Sequence, residues 1–378
     1  STPLYSSAAS DVYKRQALFI ILVIIIIAII ILVGKYNKQI AEKAQDIVQN
    51  TIAPALASED DNIKIVPTLD DKIKGNTMWC GTFQLIWNDL KNNIVKQDIE
   101  FSPQLDCVDN LNKSKFTKDM ISEEDYYKNY GIISEELKNQ IETDLMNKFG
   151  KTSEFINKFN WSNEQNETRY FLYSTLIKDL KFAMPFDDLE TGDFAGKDTK
   201  TSYFGLKQNS NLEAREQVQV LYYNNEDDKA ISIQTTTNDE IILCRTNTAK
   251  NFNQIIQKID AEKKNYKDST TLKLEEILKI PEISINSEKE FKDIENRESK
   301  DINGEKLKIE KAIQTIQFEL NKKGAKVTSE SGMSVTTNGI SEEKIRDFSF
   351  DDEFVIFLKE KDKEIPYFAL NINNMNEF

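Results

Sequence analysis

Three pairs of adjacent aspartates are the residues whose type and spacing could do chemistry in this chain: Asp187-Asp188, Asp227-Asp228 and Asp351-Asp352. A glycosidase needs two carboxyl groups on facing walls of a cleft, one to donate a proton and one to act as nucleophile or base. Each pair adjoins the end of a predicted strand, where acidic residues are usual in solvated turns. We therefore interpret the three aspartate pairs as parts of solvated turns. A carboxylate-based cell-wall hydrolase is accordingly the weakest of three functional hypotheses for this chain.

The chain contains no histidine, and its 63 acidic residues exceed its 49 basic residues to give a net charge of −14. Without imidazole, Ser-His-Asp catalysis, Cys-His catalysis and imidazole-bearing zinc sites cannot form. Cys80, Cys107 and Cys244 lack metal-ligand spacing. We expect three buried thiols, with a Cys80–Cys107 pairing as the alternative. The acidic balance disfavours contacts with phosphates, so we expect no nucleic-acid partner, and we expect no metal and no cofactor.

The N-terminal part of the chain predicts a membrane anchor. Residues 17–33 form an unbroken apolar run that is long enough to span a bilayer as a helix. We predict one transmembrane helix at 17–34, a helical stalk with an acidic linker at 35–62, and a soluble domain at 63–378. Residues 1–16 resemble translated adaptor sequence and are set aside. A cleaved signal peptide is the alternative, but the apolar run is long for one and no cleavage site follows it.

Hydrophobic periodicity predicts the elements of the soluble domain. Residues 76–90 carry large apolar side chains at helical spacing, which predicts an amphipathic helix with these side chains in the core. A helix start is predicted at Ser102 and Pro103, because serine is a favoured N-cap residue and proline a favoured first residue of a helix. Residues 104–160 are predicted to be helical and charged, with helix starts at Ser122 and Ser134. Short strands are predicted at 218–223, 230–236 and 240–245, and a helix at 252–259.

The C-terminal part of the chain has an unusual polar run. A strand is predicted at 311–320, and the apolar runs 354–358 and 366–370 predict a hairpin. Between them, residues 329–340 contain no proline and only one charged residue, Glu330. The residues of this run alternate between two faces with the period of two that is typical of a β-strand. The run is too polar to be a permanent strand of the hydrophobic core. This pattern is typical of a segment that can become a strand if a sheet opens for it.

This arrangement resembles the carboxy-terminal end of the serpins, in which a strand leads into a hinge, an exposed reactive-centre loop and two final strands. Ser329-Glu330-Ser331-Gly332-Met333 resembles the hinge Thr-Glu-Ala-Ala-Gly of that family, and residues 350–357 resemble its Phe-Asn-Lys-Pro-Phe-Val-Phe segment. Other segments resemble family motifs in the same order along the chain, and the shared order is more specific than any single match. These segments are 76–90, 98–103, 155–159, 171–187, 218–245 and 278–285.

The resemblance implies an α+β serpin-like fold with a large mixed β-sheet, smaller sheets and a helical layer, here preceded by one transmembrane helix. It implies a suicide inhibitor of a serine or cysteine protease, so the expected partners are a target protease and, through the anchor, a membrane. The protease cuts the loop, forms an acyl-enzyme, and is carried away when the loop inserts as a new strand. We expect a divergent bacterial member. Positively charged residues follow the apolar run at Lys35, Lys38 and Lys43, and such residues favour the cytoplasmic side of a membrane for the domain. The resemblance instead favours a single-pass protein of the cell membrane with an extracytoplasmic domain.

The resemblance also assigns site residues. The reactive-loop hinge is Ser329, Glu330, Ser331, Gly332, Met333 and Ser334. The candidate scissile region is Ser341, Glu342, Glu343 and Lys344, with the bond near Glu342-Glu343. Basic residues at Lys344 and Arg346 leave a trypsin-like target open.

Three residues depart from the family pattern. Ser174 replaces an Asn, Leu180 replaces a Gly, and Phe182 replaces a Trp. In the family, the Asn and the Trp belong to the place where the loop begins to insert, the breach, so we assign Ser174 and Phe182 to that place. Their exchange favours the second hypothesis, a non-inhibitory binding or structural domain at the cell surface.

Overall fold

The structure of the chain, a computed structural model, describes residues 63–162, 168–178, 180–300, 306–322, 345–376 and 378. Residues 63–378 form one compact unit. The predicted tail, transmembrane helix and stalk (1–62) lie outside the described residues, and so do the predicted hinge and scissile region. The domain boundaries therefore remain predictions.

Eighteen strands are formed by the described residues. They are β1 (Lys64–Val66), β2 (Thr77–Cys80), β3 (Tyr126–Ile132), β4 (Arg169–Ile177), β5 (Asp187–Asp188), β6 (Gly192–Phe194), β7 (Lys197–Thr201), β8 (Tyr203–Leu206), β9 (Val218–Asn225), β10 (Asp228–Gln234), β11 (Asp239–Arg245), β12 (Ile277–Pro281), β13 (Ile283–Glu290), β14 (Arg297–Glu298), β15 (Lys308–Leu320), β16 (Asp347–Ser349), β17 (Phe354–Glu360) and β18 (Phe368–Ile372).

The described residues form fewer helices than strands. The α-helices are α1 (Thr82–Asp89), α2 (Asp106–Asn112), α3 (Glu135–Phe149), α4 (Glu154–Lys158), α5 (Leu212–Glu216) and α6 (Phe252–Asn265). A π-helical turn follows α1, and two short 3-10 turns precede β3. In the part of the chain that the structure describes, none of these helices has the length and apolar character needed to cross a membrane.

The strands form three mixed sheets and the hairpin β6–β7. Sheet I has seven strands in the order β1-β2-β18-β17-β11-β10-β9. Sheet II has the order β13-β15-β4-β3, with β14 paired to β15 beyond the end of β13. Sheet III has the order β16-β12-β8-β5. Each sheet contains one parallel pair among its antiparallel pairs: β1–β2 in sheet I, β4–β15 in sheet II and β12–β16 in sheet III.

Sheet I contributes more buried apolar residues than either of the other two sheets, because its central strands are buried on both faces. All five residues of β18 are buried, as are the first five of β17. A strand that is covered on both faces reads as a continuous apolar run, which is why 354–358 and 366–370 could be recognised. Strands β17 and β18 form the predicted hairpin, and the three strands predicted between 218 and 245 are present as β9, β10 and β11.

Two predictions near the start of the domain are wrong. Residues 77–80 form strand β2 rather than the first turn of a helix, because all four side chains are buried between sheet neighbours and β2 pairs with β18. Trp79 and Trp87 are nevertheless core residues, as predicted. Ser102 and Pro103 do not begin a helix: α2 begins at Asp106. Gln104 accepts a hydrogen bond from the N–H of Phe101, which turns the chain before the helix.

Two further predictions are corrected in the middle of the chain. Residues 104–160 are not wholly helical, because Tyr126–Ile132 form β3, whose tyrosines favour a strand and which pairs with β4. Ser134 caps α3, as predicted, but Ser122 caps only a 3-10 turn. Residues 278–285 belong to two strands of different sheets, because β12 pairs in sheet III and β13 pairs with β15 of sheet II along all eight of its residues.

Candidate functional site

The parallel pair of β4 and β15 is the place in the fold where the polar run of the sequence begins. Arg169 lies beside Lys308 and Ile177 beside Gln317, so the two strands are paired over the whole of β4. Because the strands are parallel, their carboxyl ends lie at the same edge of sheet II. The polar run leaves the end of β15 at this edge and rejoins the described residues just before β16, the edge strand of sheet III.

The inner face of this pair is attached to helix α1. Ser174 of β4 and Gln314 of β15 are register partners, and both are completely buried. Gln314 Nε2 donates to the carbonyl oxygen of Cys80 at 3.1 Å and to Thr82 Oγ1 at 2.8 Å. Thr82 Oγ1 in turn donates to Ser174 Oγ at 3.3 Å. On the face of sheet II that packs against α1, the two strands are therefore connected through the hydroxyl group of Thr82.

The two predicted breach residues lie in different surroundings. Ser174 is in the middle of β4, against α1, rather than at the end of the strand. Phe182 lies beyond the end of β4, forms a bridge to Thr235, and packs edge-to-face on Phe186 with 4.8 Å between ring centroids. It also contacts Phe204 of sheet III. Phe182 is thus near the edge where the polar run begins, whereas Ser174 belongs to the contact between sheet II and the core.

The two ends of the polar run are held differently. At the near end, the carbonyl oxygen of Lys322 accepts a hydrogen bond from the N–H of Phe186 at 3.3 Å, and Lys322 Nζ pairs with Asp188. The predicted hinge (329–334) and scissile region (341–344) follow and lie outside the described residues. At the far end, the first strong attachment is the side chain of Arg346.

Arg346 is buried at 4% exposure and anchors the far end. Its guanidinium binds both carboxylate oxygens of Glu276, at 2.6 and 2.9 Å. The same group donates to Tyr266 Oη at 2.7 Å and to the carbonyl oxygens of Ser269 and Thr271 at 2.6 and 2.8 Å. The hydrogen bonds to Glu276 and Tyr266 hold the pKa of Arg346 above its ordinary value, although burial alone would lower it. Arg346 is therefore unavailable to the pocket of a trypsin-like protease, which corrects that part of the prediction.

Lys229 reinforces the same anchor from sheet I. It is 1% exposed, and Nζ donates to the carbonyl oxygen of Asp347 at 2.8 Å. Its ammonium group also lies 5.5 Å from the centre of the Phe350 ring. Burial lowers the pKa of Lys229 to about 8, while Asp347 and Asp351 act in the opposite direction.

The cysteines are free thiols, so Cys80 and Cys107 are not paired. Cys80 and Cys244 are buried, and burial raises their pKa values to about 11 and about 12. Cys107 is only half-buried, which departs from the prediction of three buried thiols. Its pKa is likewise raised to about 11, chiefly by burial. A nucleophilic cysteine needs a lowered pKa, so these environments are those of structural thiols.

The acid pairs are engaged in ion pairs or hydrogen bonds. Asp228 pairs with Lys258 at 2.6 Å. Asp227 and Asp352 approach the same cation, Arg245, at 2.7 and 3.1 Å. The remaining three are also engaged: Asp351 with Lys279, Asp188 with Lys322, and Asp187 with the hydroxyl of Ser210. Within the described residues, no group of three or more cysteine or acidic side chains is placed to hold a metal ion.

Sequence reasoning missed Gln314, and it did not foresee that Arg346 is buried as an anchor. Gln314 did carry a signal, because it occupies a position in β15 whose neighbours of the same face, Ala312, Ile316 and Phe318, are buried. A polar residue in the buried phase of a strand indicates a partner in the core. Arg346 carried no such signal, since its partner Glu276 lies in a loop 70 residues earlier.

No family model matches the sequence, and no curated protein matches it. Several solved structures are similar to the chain. Serpin48 of the insect Tenebrio molitor is 12% identical, with 80% of this chain and 93% of that one covered and a TM-score of 0.45. The mouse protein Z-dependent protease inhibitor is 11% identical, with 80% and 92% covered and a TM-score of 0.49. A thyroxine-binding globulin in complex with thyroxine is 12% identical, with 79% and 92% covered and a TM-score of 0.46.

The order of elements within the chain agrees with the sequence resemblance. A long strand leads into the polar run, which ends at an edge strand, and the chain then closes with the hairpin β17–β18. Strand β4, most of which lies in the segment 171–187 that resembles a family motif, is paired with β15, the strand from which the polar run departs. The described elements therefore follow the order that the resemblance to the serpins predicts.

Proposed function

We propose that the protein inhibits a serine or cysteine protease by inserting part of residues 323–344, after cleavage, as a new strand between β4 and β15. The observation that carries this proposal is the parallel pairing of these two strands. A chain that leaves the end of β15 and folds back along it runs antiparallel to β15. Because β4 is parallel to β15, the same chain also runs antiparallel to β4. One parallel ladder is thus replaced by two antiparallel ladders, which are slightly more stable per residue.

The composition of the polar run supports insertion. Ser329, Ser331, Met333, Val335 and Thr337 alternate along the sequence and carry neither charge nor a proline ring. A strand in the middle of a sheet must bury one such row of side chains and must supply an N–H at every ladder position. About ten additional ladder hydrogen bonds, at about 0.5–1.5 kcal/mol each, would stabilise the inserted form by on the order of 10 kcal/mol.

The protease supplies the chemistry in this mechanism. Its nucleophile attacks a peptide bond in the scissile region, near Glu342-Glu343, and the amino-terminal part of the loop becomes an acyl group on the enzyme. Insertion then moves that acyl group, with the protease attached, away from the edge of sheet II before water can release it. The anchored Arg346 keeps the other cleavage product on the body of the protein.

The experiment is a comparison of cut and uncut protein. The domain 63–378, a compact unit, is cleaved within 338–344 by a nonspecific protease, and its melting temperature is measured. Insertion predicts a large rise in melting temperature and an SDS-stable complex with at least one protease. Ser331→Arg, which would bury a charge, should abolish both results, whereas the matched Ser331→Ala should keep them.

The second candidate is a non-inhibitory binding or structural domain with the same fold. It is favoured by Ser174, Leu180 and Phe182, which replace the family residues around the place of insertion. If the cleaved domain melts at the same temperature as the uncut domain and forms no stable complex, the insertion mechanism is wrong and this second function stands.

We also propose that the domain is tethered to the cell membrane by residues 17–34 and lies on the extracytoplasmic side. The apolar run in the sequence supports the tether. The full chain should stay with membranes after washing at high pH, and external protease should digest the domain in intact cells. Recovery in the soluble fraction would contradict the tether, and protection in intact cells would contradict the orientation.

A further inference from the structure

A cavity of about 410 Å³ lies on the outer face of sheet II, beneath the segment that joins α3 to α4. Its volume is in the range of small-molecule sites, roughly 300–1,000 Å³. The floor of the cavity crosses the boundary between the parallel strands, with Tyr173 and Thr175 from β4 and Thr315 from β15. The cavity therefore lies over the two strands that insertion would separate.

The lining is rich in neutral hydroxyl groups. Thr175 and Thr315 are register partners, so their side chains project from the same face of the sheet. Tyr173 Oη lies 3.4 Å from Thr315 Oγ1, and the hydroxyl groups of Ser153 and Thr175 are also hydrogen-bonding neighbours of Tyr173. Burial raises the pKa of Tyr173, so its phenol stays protonated at neutral pH. Each of these hydroxyls can both donate and accept a hydrogen bond.

Charges at the rim are balanced. Lys151 lines the cavity and donates to Gln317 Oε1 at 2.8 Å. The carboxylates of Glu154 and Glu288 also line it, and Glu154 pairs with Lys158 at 2.9 Å. Lys158 is not part of the lining, but its ion pair with Glu154 leaves one lysine, Lys151, and one carboxylate, Glu288, to face a ligand, so no excess charge selects an anion or a cation. A neutral ligand fits this balance best.

Apolar side chains form part of the wall of the cavity. Leu145 and Phe149 of α3 and Ile177 of β4 line the cavity beside the ring of Tyr173. A sugar or polyol presents hydroxyl groups along its edges and C–H groups on its faces. Such a molecule can place its faces against these rings while its edges contact the threonines.

We propose that this cavity binds a neutral polyol of monosaccharide size and that the bound polyol holds β4 and β15 together. Neighbouring strands are about 4.8 Å apart, and a strand inserted between them would double that separation. A ligand that contacts both Thr175 and Thr315 would then lose one set of contacts. It must therefore bind the closed sheet more tightly and shift the equilibrium toward it. The proposed binding does not depend on the proposed function, whereas the effect of the bound polyol on inhibition rests on that function.

Binding is tested with myo-inositol and D-glucose as probes, by saturation-transfer NMR titration of the full chain in a zwitterionic detergent that carries no sugar. We expect saturable binding of at least one probe. The isosteric double variant Thr175→Val/Thr315→Val should weaken it at least tenfold, and Thr315→Val alone at least threefold. Thr236→Val, at an exposed position outside the cavity, is the matched control and should leave the affinity unchanged. A signal that never saturates, or equal affinity in all four proteins, overturns the proposal.

The effect on the strands is tested by amide hydrogen exchange. Saturating probe should slow exchange in β4 and β15 severalfold while leaving β9 and β10 unchanged, and the double variant should lose this difference. High concentrations of polyols also stabilise proteins by exclusion from their surfaces. Equal slowing in all sheets would show that general effect and would overturn the local one. Because neither measurement uses a protease, failure of this proposal and failure of the inhibitory function are distinguishable.

Discussion

Gln314 and Ser174 lie opposite each other in the β15–β4 pair, and both form hydrogen bonds with the hydroxyl group of Thr82. Gln314 Oε1 has no hydrogen-bond partner among the described residues. A strand inserted between β4 and β15 would move Ser174 and Gln314 apart by about 5 Å, so the shared contact with Thr82 could not persist on both sides. The hydrogen bonds that stabilise the closed sheet are therefore also the ones that insertion must break.

Replacing Gln314 with alanine should lower the free energy of unfolding by about 2–4 kcal/mol. The substitution opens a cavity and leaves the carbonyl oxygen of Cys80 buried without its donor. Urea denaturation of the wild type and the variant measures the difference. Gln317→Ala, on the same strand but half-buried on the outer face, is the matched control and should cost less than about 1 kcal/mol. Equal losses in the two variants would contradict the role assigned to Gln314.

The strands of sheet II show how far sequence reasoning reaches. The strand predicted at 311–320 is present as β15, and residues 171–177, which lie in a segment that resembles a family motif, form its parallel neighbour β4. The periodicity of 76–90 gave the wrong element for Thr77–Cys80, because pairing with β18 overrides a helical pattern in a fully buried segment. Local patterns carry no information about such distant partners.

The site residues were harder to predict for the same reason. Gln314 and Thr82 are 232 residues apart in sequence, and no local pattern joins them. Arg346 looked like a residue that a protease could recognise, because a lone basic residue after a polar run has no visible partner in the sequence. Arg346 is buried because groups of the loop 266–276 surround its guanidinium, and the sequence alone does not show that approach.

Arg346 and Glu276 should show strong energetic coupling. Glu276→Ala leaves the guanidinium of Arg346 buried without its counterion and should cost about 3–5 kcal/mol. Arg346→Met should cost a similar amount because it leaves the carboxylate buried. In the double variant neither charge is left unpaired, so its loss should be smaller than the sum of the single losses by more than about 1 kcal/mol. The measurement is a double-mutant cycle in urea, and additive losses would show that the pair is not coupled.

Lys229 should make stability depend on pH in the alkaline range. Burial lowers its pKa to about 8 in the folded protein, whereas an unfolded chain has a lysine pKa of about 10.4. Between these values the unfolded state binds more protons than the folded state, so the free energy of unfolding should rise with pH. The cost of burying the ammonium is fully present below about pH 8 and is relieved as the pH approaches about 10.4.

The test compares wild type with Lys229→Met by urea denaturation from pH 7 to 10.5, since other titrating groups cancel in the difference. Wild type should gain stability relative to the variant by up to about 1.4 kcal/mol per pH unit in this window. A difference that stays constant with pH would mean that the pKa of Lys229 is the same in both states.

Gly205 in strand β8 of sheet III should tolerate no larger residue. Its φ is +154°, and a Cβ at this position would lie 1.8 Å from the carbonyl oxygen of Leu278 on the neighbouring strand β12. Gly205→Ala must therefore separate β8 from β12, and we expect a loss of more than about 4 kcal/mol in the free energy of unfolding. Gly196, with φ +66° and open space around it, is the matched control.

Gly196→Ala should cost only about 1–2 kcal/mol, the strain of a left-handed backbone in an alanine. Strand β12 also pairs with β16, the strand next to Arg346. Gly205→Ala should therefore speed amide exchange in 347–349 as well. Thermal unfolding and hydrogen exchange measure the two effects. If both alanine variants lose the same stability, or if exchange in β16 is unchanged by Gly205→Ala, the close approach of β8 and β12 does not support the far end of the loop.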